Sequence, residues 1–130
     1  MAQYPIEIIL LRQWAGYLSV PIWITDPDGN LVYFNESAEK MMGVSFDDSG
    51  EMPPAELLET FSITDAAGDP IEFHDLPLVI ALTTHKPAHR HIRARSADGD
   101  PLDLQVTALP VEGEGGRHLG AMVAFWEASE

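Results

Sequence analysis

The chain has 130 residues, of which 21 are acidic and 7 basic, a formal charge of −14, and no cysteine. That length fits one domain around a single core, and the charge opposes nucleic acid or an anionic membrane as partner by simple repulsion. The missing thiols remove disulfides, thiolate metal sites, cysteine nucleophiles and cysteinyl adducts of flavins or other chromophores.

The first apolar run, Ile6 to Leu11, contains Glu7 and stops at Arg12, far short of the roughly 20 residues a bilayer requires. With no basic start and no cleavage-like tail, the reading is a cytoplasmic chain. Residues Tyr4 to Leu18 read as an amphipathic helix. Pro5 suits a first turn, and Ile6, Leu10, Trp14, Tyr17 and Leu18 fall on one face at three- and four-residue steps. The expected cover for that face is the hairpin that follows, VPIWITDPDGNLVYFN, Val20 to Asn35. There two β-rich runs flank Asp26-Pro27-Asp28-Gly29-Asn30, a cluster of turn-setting residues. Ile22 and Ile24 alternate with Trp23 and Thr25, so this sheet is apolar on both faces. Asp26 and Asn35 read as structural, their side chains bonding turn and helix-start amides.

Glu36 to Gly43 follows as a short helix with a glycine C-cap, then a polar loop to Glu51 and a second short helix in PPAELLETF, with proline at its start. A turn at Ala66-Ala67-Gly68-Asp69-Pro70 precedes a third helix over Leu76 to Thr84, opened by Asp75 as cap with Pro77 in its first turn. RHIRARSADGDPLDLQVTALP places Asp98-Gly99 between two strands, and GEGG at Gly113 to Gly116 separates the second from HLGAMVAFWE. Both are antiparallel connections. No internal repeat or low-complexity tract is present, and EASE at the end reads as a strand exit or the start of a further helix.

Four pieces in this order carry a family likeness: PIWITDPDGNLVYFNESAEKMMG, GDPIEFHDLPLVIAL, SADGDPLDLQVTALPV and GAMVAFWEASE. Over nearly its whole length the chain resembles the PAS family of sensor domains. The resemblance implies an α+β fold, a five-stranded antiparallel sheet in order 2-1-5-4-3 with small helices on one face enclosing a pocket. The N-terminal helix, residues 1–18, would cap the opposite face of the sensor domain, residues 19–130, where PAS domains often dimerise. Glu127-Ala128-Ser129 stands where the family commonly has Asp-Ile-Thr.

Strand alternation aligned on the turns assigns Trp23, Thr25, Leu31, Tyr33, Leu104, Val106, Ala121, Val123 and Phe125 to the pocket, with Met41, Leu58, Leu78 and Leu82 closing it from the helices. Ile22, Ile24, Met122 and Trp126 then share the opposite face with Ile6, Leu10, Trp14, Tyr17 and Leu18, a surface for the helix or a partner subunit. His89 and His91 fall on one strand face as a metal pair would need, but Arg93 and Arg95 share it, and no metal is expected. Lys86, Arg90, Arg93 and Arg95 are four of the 7 basic residues and sit beside His85, His89 and His91. A solvated strand face is their ordinary reading. The alternative is an anion site in which Arg90 holds the head of a carboxylate ligand.

No resident cofactor is expected. Leu78 to Leu82 lacks the helix histidine through which some PAS sensors bind haem, since His74 precedes it and His85 follows. Flavin in its light-sensing form lacks its cysteine, while noncovalent flavin stays open. Ser19, Ser37 and Ser49 lie in no Gly-x-Ser-x-Gly elbow, GEGG lacks the following helix of a phosphate loop, and Asp47-Asp48 reads as solvated surface, so no enzyme is expected. The sequence thus reads as a signal-sensing domain, expected from the resemblance to form a homodimer, binding a small apolar or amphipathic ligand, with a fatty-acid-like molecule as the specific guess. Occupancy would pass to an output domain in the same or a separate chain. The alternatives are a ligand-free dimerisation module and a haem or flavin redox sensor.

Overall fold

The computed structural model describes residues 5–46, 50–96 and 98–128, without the side chain of Leu58. Asp47, Asp48 and Ser49, and the terminal Ser129 and Glu130, lie outside the described residues. Helix α1 (Ile6–Ala15) leads into strands β1 (Ile22–Thr25) and β2 (Leu31–Phe34), then α2 (Glu36–Met42), α3 (Pro54–Thr60), the two-residue strand β3 (Thr64–Asp65) and α4 (Pro77–Thr84). Strands β4 (Ala88–Arg95), β5 (Pro101–Glu112) and β6 (His118–Glu127) complete the chain. One sheet runs β2-β1-β6-β5-β4-β3 with every pairing antiparallel. This is the expected order with β3 added at one edge, where Asp65 Oδ1 accepts the amides of Ala67 and Asp69, both at 2.9 Å, and closes the turn.

The sheet separates two apolar layers. On the inner face, α2, α3 and α4 pack over Leu31, Phe34, Leu104, Val106, Val123 and Phe125. On the outer face, α1 covers Ile22, Ile24, Val32 and Leu119. It does so with Ile8 and Ala15, joined by half-buried Leu11 and Leu18. The face expected to be covered points the other way: Ile6, Leu10, Trp14 and Tyr17 are exposed, Tyr17 at 90%. Apolar residues occupy most of the circumference of this helix, and the small Ala15 lets its last turn approach the sheet where Trp14 would hold it off.

Local chemistry fixes the hairpin. Asp26 Oδ1 accepts from the amides of Asp28 at 3.0 Å and Asn30 at 2.9 Å, while Asn30 Nδ2 donates to Oδ2 at 3.0 Å. In β2 an extra residue, Val32, is inserted: Trp23 faces Phe34 and Ile24 faces Tyr33, but Thr25 faces Leu31. Such a bulge reverses the alternation on one side of it. Gly43 ends α2 in the left-handed conformation at φ 78°. The expected Asp75 cap is not formed. Asp75 closes a 3-10 turn (Phe73–Asp75), and Leu76 stands at the start of α4 with no side-chain cap. The prolyl ring at Pro77 supplies the helical φ there instead.

Two positions carry much of this geometry. Asn35 is 1% exposed and uses its full bonding capacity: Oδ1 accepts from Ile22 N and Ala38 N at 3.0 Å, and Nδ2 donates to the carbonyls of Ala15 and Val20 at 2.9 Å. Gly120 has φ 137°, and a Cβ there would overlap the carbonyl oxygen of Thr25 on the neighbouring strand. Replacing Asn35 by Ala orphans buried donors and acceptors on three elements and is expected to cost about 3 kcal/mol or more in urea denaturation. Gly120→Ala should lower stability by at least about 3 kcal/mol, through strain and overlap together, whereas Gly68→Ala, with open space around it, should cost less.

Candidate functional site

Between the inner sheet face and helices α2 to α4 lies a cavity of about 60 Å³. Trp23 reaches it from β1, Met42 from α2, Leu57 from α3, Leu76, Pro77 and Leu78 from the start of α4, and Leu104, Val106, Val123 and Phe125 from the long strands. Of the residues expected at a pocket, Trp23, Leu78, Leu104, Val106, Val123 and Phe125 line it. Leu31 and Ala121 are buried in the same core without reaching the wall, and Met41 and Leu82 pack against that core. Leu82 instead approaches the hairpin turn, where a Cβ on Gly29 would lie 3.3 Å from its Cδ1.

Tyr33 is on the other side of the sheet. The inserted Val32 turns it toward the layer under α1, so it packs with Ile22 and Ile24's cluster rather than at the cavity. Thr25 is fully buried but spends its hydroxyl on the carbonyl of Asp26 at 3.1 Å. The Leu58 side chain lies outside the described residues. Strict alternation on β4 places Arg90 on the cavity side with Ile92 and Ala94, one step beyond the wall. There it is half-buried, with Nη1 3.5 Å from the carbonyl of Asp75. The walls missed from sequence include Phe61, Ile63, Leu76, Ile92, Ala94 and Leu102. Ile92 and Ala94 were legible in the alternation of RHIRAR; Phe61 and Ile63 follow a helix end and carry no periodic signal.

The walls are hydrocarbon, aromatic or thioether. Trp23 offers the one wall N–H of a side chain, and it donates to Met42 Sδ at 3.0 Å. Its ring meets Phe125 edge-on at 5.2 Å, a favoured aromatic geometry. No histidine lines the cavity. His74 and His85 are exposed and outside it, so the walls offer a haem no histidine as axial ligand. A polar ring edge such as a flavin's would have to compete with Met42 for the Trp23 N–H.

Outside the cavity, Glu72, His74 and Asp75 bring three ligand-type atoms within 4.8 Å of one another, all on exposed side chains. On the outer sheet face, His89 bonds Thr107 at 2.6 Å and Gln105 at 2.7 Å, and His91 bonds Asp103. They share that face with Arg93 and Arg95, as alternation requires. Of the outer-face residues expected at an interface, Ile22 and Ile24 are covered by α1, and Leu18 and Met122 pack against them. Ile6, Leu10, Trp14, Tyr17 and Trp126 remain exposed, and Ile9 and Val20 join them. Among the described residues no helix is long and apolar enough to cross a membrane.

The architecture has close counterparts among solved structures. A PAS domain from Colwellia psychrerythraea is 21% identical, with a TM-score of 0.68 over 93% of this chain and 97% of that one. The PAS domain of nitrogen regulation protein NR(II) from Vibrio parahaemolyticus is 20% identical, with a TM-score of 0.66 over 92% and 98%. A LOV protein from Rhodobacter sphaeroides is 14% identical, with a TM-score of 0.73 over 97% and 70%. At these identities the likeness is one of fold. None of the curated proteins compared matches this chain. The family model for the PAS fold matches residues 12–126, from the last turn of α1 to the end of β6, and the chain therefore belongs to the PAS family.

Proposed function

We propose that this PAS domain is a sensory module that takes a small apolar molecule into its core cavity and passes occupancy through the sheet to α1, whose outer face pairs with a second copy. PAS domains are generally sensory or regulatory, relay to output domains and often dimerise. The observation that carries the reading is the apolar cavity between sheet and helices, walled by side chains from all three inner helices and from β1, β4, β5 and β6. A guest there favours one packing of those helices over another, which is all a population shift needs. The output domain lies in the same or a separate chain.

A fatty-acid-like ligand, the guess made from sequence, would place its head at Arg90 near the rim. The chain of such a molecule needs the cavity to grow several-fold, toward the roughly 300–1,000 Å³ of ordinary ligand pockets. The small volume also favours a second reading, a ligand-free pairing module whose filled core only positions neighbouring domains. Both readings use α1. Its exposed apolar face is unusual on a chain of charge −14, and burying it against a second copy removes that surface from water.

Light scattering of the purified chain should report a dimer, and the double substitution Leu10→Glu with Trp14→Glu should convert it to a monomer. Because both side chains are exposed, the monomer's own stability should change by no more than about 0.5 kcal/mol. A dimer that survives this change with unaltered mass would place the interface elsewhere.

A further inference from the structure

We infer that the cavity selects an uncharged molecule without a polar head, between a xenon atom and a single benzene-sized ring, and excludes carboxylates and flavins. This rests on the reading above that the cavity is a ligand site, and it narrows the chemical class that site accepts.

Size sets the first limit. Cavities of about 150 Å³ with Leu, Ile and Phe walls stay dry and admit benzene or xenon. At about 60 Å³, this one takes xenon as it stands. A ring requires wall side chains to shift, and Met42, unbranched and flexible, is the wall residue suited to yield.

Wall chemistry sets the second. The Trp23 N–H is already given to Met42 Sδ, and the strand amides are committed to the sheet ladder. Among the described residues no buried side-chain nitrogen or oxygen lacks a partner. A polar head drawn inside would therefore lose its water and gain no side-chain bond in return.

Charge at the rim sets the third. Arg90 reaches the Asp75 carbonyl, and the turn bearing that carbonyl also carries Glu72 and the Asp75 carboxylate, both exposed. A carboxylate that approached Arg90 would meet these two like charges on a chain of net charge −14. The cation that would hold a fatty-acid head thus has two carboxylates nearby, which also contact His74 Nε2 at 3.1 and 3.8 Å.

The test uses methyl NMR of the whole chain, titrated separately with xenon, benzene, octanoate and flavin mononucleotide. Xenon and benzene should shift the methyl signals of Leu78, Leu104, Val106 and Val123 saturably, while octanoate and flavin mononucleotide leave them in place. Val106→Phe, which fills the cavity, should weaken the xenon and benzene responses at least tenfold. Ala94→Leu serves the same purpose if the first variant does not give a dispersed spectrum. Octanoate binding at these methyls more tightly than benzene would overturn the headless class and leave the sensor reading standing. Silence from every probe would overturn both and leave the pairing module. A xenon response undiminished in a folded, cavity-filled variant would show that the guest sits elsewhere and would likewise overturn the inference.

Discussion

One buried amide joins the two sides of this molecule. Asn35 bonds the end of α1 through the Ala15 carbonyl, the chain entering β1 through Val20 and Ile22, and the first turn of α2 through Ala38. Asparagine alone suits the place. It offers two donors and two acceptor sites on one planar group, whereas aspartate would turn a charge toward two carbonyls and an apolar residue would leave four backbone groups unpaired. The helix outside the sheet and the helix inside it are both bonded to this one side chain, and the Ser37 hydroxyl adds a bond to the Leu18 carbonyl at 3.5 Å, so movement of either at that end bears on the other. The inner helix ends at Met42, which walls the cavity and accepts the Trp23 N–H. A continuous set of bonded groups therefore runs from the cavity wall through α2 and Asn35 to α1.

The other end of α1 is held differently. Glu7 pairs with Arg117 at 3.0 Å, on the turn between β5 and β6, and Gly113 in that turn leaves room for the carboxylate, since a Cβ there would lie 2.6 Å from Glu7 Oε2. Arg12 lies over the ring of Tyr33 at 5.1 Å, a cation–π distance. These surface contacts are individually weak and screened by salt. The strong attachment is at Asn35 and in the apolar seat of Ile8 and Ala15. The helix is thus seated along its length by Ile8 and Ala15 and fastened at its C-terminal end by Asn35, while the polar contact of its first turn adds little.

The features legible in sequence were those with local causes. Three glycine- or aspartate-marked turns announced the antiparallel connections, the strand order came only with the resemblance to the PAS family, and the roles of Asp26, Asn35 and Gly43 followed from the backbone geometry each residue type serves. The face of α1 was not legible, because apolar residues lie nearly all around it and only the approach of Ala15 to the sheet decides which side is buried. Tyr33 was misplaced by a single inserted residue, which no alternation pattern in LVYF announces. The cavity walls at Ile63, Leu76, Pro77 and Leu102 stand at element ends or in loops, where tertiary packing rather than period sets direction. The two-residue β3 is too short to leave any periodic trace.

The central claim is that filling the cavity is felt on the far side of the sheet. Backbone amide exchange, measured residue by residue with and without xenon pressure, tests it most directly. The account predicts altered protection in α1 between Ile8 and Ala15 as well as in α2, α3 and α4. Changes confined to the inner helices, with α1 exchanging at the same rates filled or empty, would contradict it.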